Sequence, residues 1–321
     1  MPPPPSLLDP GPERTAQSFD GALGDSELVV ARNALTQGRW QATRSLLLRT
    51  GDDWDRRGHR VTVLAREPYA AAWARDWLQA ESGSADAAVL LALSLVRRVL
   101  RGREEPAAAR TACAAAAALE PADPTPWLGL LLLERAGPEA DRIFAEVLRR
   151  HPDHHHAHHL MVARLAERDL ERGPDPRHEV YDFARRAADR APADSPLAVL
   201  PVVAHTERHR ALAVAGRTPD DPAASPYWSG RRARRVLRTA FHWWLEWERD
   251  DHPRHHVDLN FLAHAMSCAG RAGEAAALFR RIGRHATPAP WAYPDQDPCA
   301  AFRAARARAF GTAPDTASRY L

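Results

Sequence analysis

The densest chemistry in the chain lies in HPDHHHAHH, from His151 to His159. Pro152 and Asp153 stop one helix and open the next, so His154/His158 and His155/His159 fall at i,i+4 spacing, one turn apart on a helix face. Two imidazoles so placed can share one divalent metal. A metal site also needs partners that orient its rings, and no carboxylate accompanies these histidines locally. The segment on its own therefore reads as a hydrated first turn with one or two rings tucked into a groove.

Two further clusters repeat the theme. His205 and His209 are another i,i+4 pair, with Glu207 between them. A zinc protease needs the glutamate directly after its first histidine. Here it stands two residues on, which turns it to a different face. The expectation is a helix whose polar side lines a groove. In HPRHHVDLNFLAH, His252, His255 and His256 precede Asn260 and His264, again one turn apart. A basic and aromatic segment, YWSGRRARRVLRTAFHWWLEWERDDH, places Arg231, Arg235 and Arg238 on one face and repeats Phe241, Trp244 and Trp247 at helical spacing. Phosphate neutralisation beside stacking surfaces would suit nucleic acid. Tryptophans at this spacing more often seal the junctions between packed helices, and packing is the expectation. Arg303, Arg306 and Arg308 alternate with alanine and read as a simple amphipathic end helix.

What the sequence omits excludes more than these clusters include. None of the 321 residues is lysine, so all 44 positive charges are arginine. Schiff-base lysines, phosphate-loop lysines, kinase lysines and Ser-Lys dyads are thereby excluded. No glycine-rich phosphate loop, nucleophile elbow, cysteine metal pair or paired catalytic carboxylate appears. No catalytic residue, metal or other cofactor is expected from motifs alone. The formal charge is only +3, and the pI near 9.0 reflects arginines that do not titrate. Nucleic acid is accordingly not the expected partner. Three widely spaced cysteines, Cys113, Cys268 and Cys299, make no disulfide framework. The first residues, MPPPPSLLDPGPERTAQSFDG, lack the basic and apolar regions of a signal peptide. The apolar runs AVLLALSLV and WLGLLLL are too short to cross a bilayer. A cytoplasmic protein without membrane contact is expected.

The elements that must position these residues are helices. The 45% hydrophobic content is mostly alanine and leucine, the strongest helix formers. Five sites pair a capping residue with proline: Thr125-Pro126, Asp175-Pro176, Ser195-Pro196, Ser225-Pro226 and Asp297-Pro298. A cap oxygen takes a free N–H while proline fills the first helical position at no cost. They predict helix starts, one of them a long helix from about Pro226 to Asp250. Pro201 should start or kink the helix that carries His205. The organisation expected is a Pro-rich disordered tail over residues 1–24, a helical repeat domain over 25–312 and a flexible tail over 313–321.

The spacing inside the helical region repeats. After Trp127, a helix expected to end near Gly137 is followed by one carrying Ala140, Phe144 and Val147 and closing at Pro152. Ala109, Cys113 and Ala116, then Pro121, follow the same scheme. Leu262, Met266 and Gly270 precede Ala275, Phe279 and Ile282, and Gly38-Arg39-Trp40-Gln41-Ala42 leads to Leu46. These four stretches resemble the tetratricopeptide repeat, in which an apolar helix, a Gly-containing turn and a small–large–small helix form one hairpin. Small residues let two helices approach while the bulky one fills the next hole. The resemblance implies a right-handed all-α solenoid of antiparallel hairpins, serving as a non-catalytic scaffold for a protein or peptide partner. On that reading His155, His159, His205, Glu207, His209, Asn260 and His264 would face the binding groove. A carboxylate clamp of lysine and asparagine carries over only at Asn260, for want of lysine. The alternative is a histidine-based metal or cofactor site. His178, Glu179, Phe183, Ala184, Arg185, Ser195, Pro196, Leu197, Ala204, His205 and Glu207 also resemble a group of actinomycete repeat proteins, which implies no activity.

Overall fold

The computed structural model describes residues 19–134, 137–219, 225–247, 251–293 and 296–311. Residues 1–18 of the expected N-terminal tail and all of 313–321 lie outside the described residues, as does the side chain of Trp247. Among the described residues the chain forms sixteen α-helices and no strand. The first half comprises α1 (Ser26–Thr36), α2 (Trp40–Thr50), α3 (Trp54–Leu64), α4 (Ala70–Ala80), α5 (Ala85–Leu100), α6 (Pro106–Leu119), α7 (Thr125–Leu133) and α8 (Pro138–Arg150). The second comprises α9 (His155–Ala166), α10 (Glu179–Arg190), α11 (Leu200–Val214), α12 (Arg231–Trp247), α13 (His255–Cys268), α14 (Ala272–Ile282), the single turn α15 (Pro288–Trp291) and α16 (Pro298–Ala309).

Local chemistry sets most of the boundaries. Asp25, Asp53, Ser84 and Asp297 each cap a helix by accepting from a backbone N–H of its first turn. Three of the five proline-marked starts differ from expectation. Ser195-Pro196 and Ser225-Pro226 open short 3₁₀ turns, Pro196–Val199 and Pro226–Ser229. In the second, the Ser229 hydroxyl donates back to Pro226 O (2.9 Å) and Gly230 is extended, so α12 begins only at Arg231. At Asp175-Pro176 the aspartate carboxylate is taken by the Arg177 N–H (2.8 Å) in a tight turn. There α10 starts at Glu179 instead, where the His178 ring supplies the cap. Pro201 sits in the first turn of α11, where its missing donor costs nothing.

The helices alternate between two rows. Each odd-numbered helix from α1 to α15 packs on the next odd-numbered one, and the even-numbered helices pack against the row so formed. Small residues make the crossings close: Ala109, Cys113 and Ala116 of α6 are buried, and a Cβ at Gly129 of α7 would lie 3.2 Å from Cys113 Sγ. Ala140, Phe144 and Val147 on α8 and Ala275, Phe279 and Ile282 on α14 are buried as the repeat spacing predicts. The odd row has an unusual property. α9, α11 and α13 are buried on nearly every side, although each carries histidines and other polar groups. One side of each meets the apolar core and the other meets polar groups from distant helices.

Candidate functional site

The N-terminal ends of α3, α9 and α13 converge, and the polar groups of the odd row concentrate there. Asp55, in the first turn of α3, caps α9 from outside by accepting from the His155 backbone N–H at 3.0 Å. Its other oxygen lies 3.2 Å from His151 Nε2 and 3.4 Å from His252 Nε2. His154 caps its own helix, its Nδ1 accepting from the Ala157 N–H. A lone pair on Nδ1 places the ring proton on Nε2. Half-buried Arg254 adds a positive charge felt by both Asp258 and Asp55.

One turn deeper, His155 and His159 project from α9 toward Asp258 on α13. His155 Nε2 is 2.9 and 3.0 Å from the two carboxylate oxygens, and His159 Nε2 is 3.1 Å from one of them. The rings of His155 and His159 lie 4.2 Å apart, and the ring of His252 approaches His155 at 4.7 Å. Burial would raise the Asp258 pKa, but attraction to the His155 ring and the hydrogen bonds from His155 and His159 outweigh it and hold the carboxyl well below its usual range. Burial dominates at the rings: it pulls His155 down to about 3 and His154 to about 4, so both are neutral at pH 7.

These three donor atoms could all reach one metal ion, since they lie within 4.8 Å of one another. Bonds of about 2.0–2.2 Å at near-right angles would set neighbouring donors about 3 Å apart. The nitrogen–oxygen separations are already of that size. Without a metal the same contacts serve as N–H···O hydrogen bonds. A cleft of about 290 Å³ opens beside Asp258, bounded by His252, His255, Ser195 and Trp244. The carboxylate thus stands between the two rings and an accessible space.

The residues expected to share one groove fall into separate places, and none is more than 8% exposed. The hydrated first turn expected at His154–His159 is instead interior, because α3 and α13 cover it. His155 and His159 enter the Asp258 cluster. His205, His209 and His264 instead join an aromatic layer, against Tyr181 and Tyr227, Tyr227 and Trp228, and Trp228 and Trp291 respectively. Glu207 pairs with Arg210 (2.8 Å) and accepts from the Tyr293 hydroxyl (2.8 Å). The Asn260 amide is spent inside the fold, between the His256 and His285 carbonyls and the Trp291 indole.

Sequence reasoning missed Asp258 and Asp55. Asp258 stands inside HHVDLNFLAH but is 103 residues from His155, and no spacing rule ties them. Asp55 is 100 residues from the same histidine. Comparison with protein-family models, curated proteins and solved structures finds no match to this chain. The functional reading rests on the geometry alone.

Proposed function

We propose that the chain binds one divalent first-row transition ion through His155 Nε2, His159 Nε2 and the Asp258 carboxylate. The observation that carries this reading is the meeting of these three groups, from two helices remote in sequence, at metal-ligand spacing in a buried setting beside a cleft. Three protein ligands leave coordination positions open, and the cleft lets water or a small ligand reach them. Two imidazoles and a carboxylate suit iron, zinc, manganese or nickel. The two helical rows also support reading the array as an α-solenoid of tetratricopeptide-like hairpins, with its polar inner face closed over. A peptide-holding scaffold ranks second, because its expected groove residues are covered.

Untagged protein, since a histidine tag would confuse the count, should carry about one transition ion per chain by mass spectrometry. His159→Ala and Asp258→Asn should lose the ion while retaining the helical circular dichroism of the wild type. Should these variants unfold, cobalt-substituted wild type keeps the test alive: its visible spectrum should report nitrogen and oxygen ligation. Substoichiometric metal removed by dialysis, with no rise in Tm on adding Zn²⁺, Fe²⁺, Mn²⁺ or Ni²⁺, would overturn the reading.

A further inference from the structure

A second cavity, of about 470 Å³, lies between α10, the start of α11 and α12. His205 lines it and is buried, with only 5% of its surface exposed. Neither of its ring nitrogens has a hydrogen-bond partner among the described residues. A buried imidazole left this way forfeits hydrogen bonds it had in water. The ring is held in place by aromatic contacts instead, to Tyr181 at 4.6 Å and Tyr227 at 5.7 Å. Those two tyrosines bond each other through their hydroxyls (2.6 Å), and Tyr227 donates on to the His205 carbonyl (3.0 Å). The phenols are therefore already engaged, while the hydrogen-bonding capacity of the buried His205 ring is unmet among the described residues.

Among the described residues the charges around this cavity do not cancel. Arg185 is paired with Asp182 and Asp189. Arg232 and Arg235 line the same space with no acidic partner among the described residues, and Arg232 is set over the Tyr181 ring at 4.9 Å. The remaining wall is apolar, with Val236 and the Trp243 indole, whose N–H is taken by the Ala193 carbonyl (2.8 Å). Two guanidinium groups at one side with no acidic partner among the described residues, an imidazole inside without a hydrogen-bond partner among them, and an apolar wall describe an amphiphilic anion.

We propose that this cavity binds a small organic acid, with its carboxylate on Arg232 and Arg235, its apolar body against Val236 and Trp243, and a hydrogen bond to His205. The site is separate from the Asp258 cluster, although Pro192 and Trp243 line both cavities. The volume falls within the range of ordinary small-molecule pockets, about 300–1,000 Å³.

The test uses 2-naphthoate, an aromatic carboxylate, titrated calorimetrically into the full chain after dialysis against a chelator. One saturable site is expected, with the neutral isostere 2-naphthalenemethanol at least tenfold weaker. Arg232→Gln/Arg235→Gln alters exposed side chains and should weaken 2-naphthoate at least tenfold while keeping the helical circular dichroism of the wild type. His205→Phe should weaken it too, while Asp258→Asn should leave it unchanged. Binding that survives the double arginine variant, or no saturation up to millimolar 2-naphthoate, would overturn the proposal. Equal competition by inorganic phosphate would mean recognition of charge alone and would overturn the apolar part. Because metal is stripped beforehand, failure here is distinguishable from failure of the metal reading.

Discussion

Asn260 holds four groups at once. Its amide nitrogen donates to the His256 and His285 carbonyls at 2.7 and 3.0 Å, while its oxygen accepts from the Trp291 indole at 2.7 Å and the Thr287 N–H at 3.4 Å. This side chain ties α13 to the segment leading into α15, and alanine would strand several buried polar groups there. Asn260→Ala should lower unfolding free energy by about 2–4 kcal/mol, read from urea midpoints, because each stranded group forfeits a hydrogen bond. A loss under about 0.5 kcal/mol would mean that water replaces the amide. Arg208 plays a comparable part at the end of α9. It is fully buried, yet donates to the carbonyls of Ala166, Arg168, Asp169 and Gly173. The missing lysines fit this use, since a planar guanidinium satisfies several carbonyls that a point-like ammonium could not.

At the scale of elements, close approach of neighbours depends on small residues at fixed crossings. Gly129 of α7 faces Cys113 Sγ and Leu93, where a Cβ would meet atoms at 3.2 and 3.3 Å. Alanine would improve helix propensity and tighten this crossing at once. Leucine has no room, and Gly129→Leu should cost about 1–3 kcal/mol through overpacking, visible as a lower Tm with unchanged helical content. An unchanged Tm would show that α7 can move away from α5 and α6 freely. Burial in this crossing pushes the Cys113 thiol up to about 12, so it should stay unreactive toward thiol reagents in the folded chain.

At the scale of the whole molecule, the consequence is an interior that resists protonation. Burial pulls His205 and His264 each down to about 3, with help from Arg232 at the first and from His209 at the second. In the unfolded chain both would titrate near 6.5. Below that value the unfolded state takes up protons that the folded state refuses. Their contribution to stability is therefore complete above pH 6.5 and declines as pH falls toward 3. Each ring should account for about 1.4 kcal/mol per pH unit inside that window. Between pH 7.5 and 5.5 the wild type should lose about 3 kcal/mol more than His205→Phe/His264→Phe, by urea titration at both values. Parallel losses in the two proteins would show that the rings are hydrated after all.

The sequence alone determined the all-helical class, the short-helix organisation and the small–large–small faces of α6, α8 and α14, because these follow from local propensity, capping and 3.6-residue periodicity. It also determined that His155 and His159 share a helix face, since i,i+4 is a property of the helix itself. Tertiary structure alone decided where that face points. The hydrated turn expected at His154–His159 became an interior cluster when α3 delivered Asp55 and α13 delivered Asp258 across about a hundred residues. The broken start of α12 came from a local bond, Ser229 to Pro226, that competes with the helix and that proline-based starts do not foresee. The cavity beside His205 likewise forms only where α10, α11 and α12 meet. Periodicity tells which residues lie together on one helix, but not which helix will cover them, and the chemistry of this chain lies between helices.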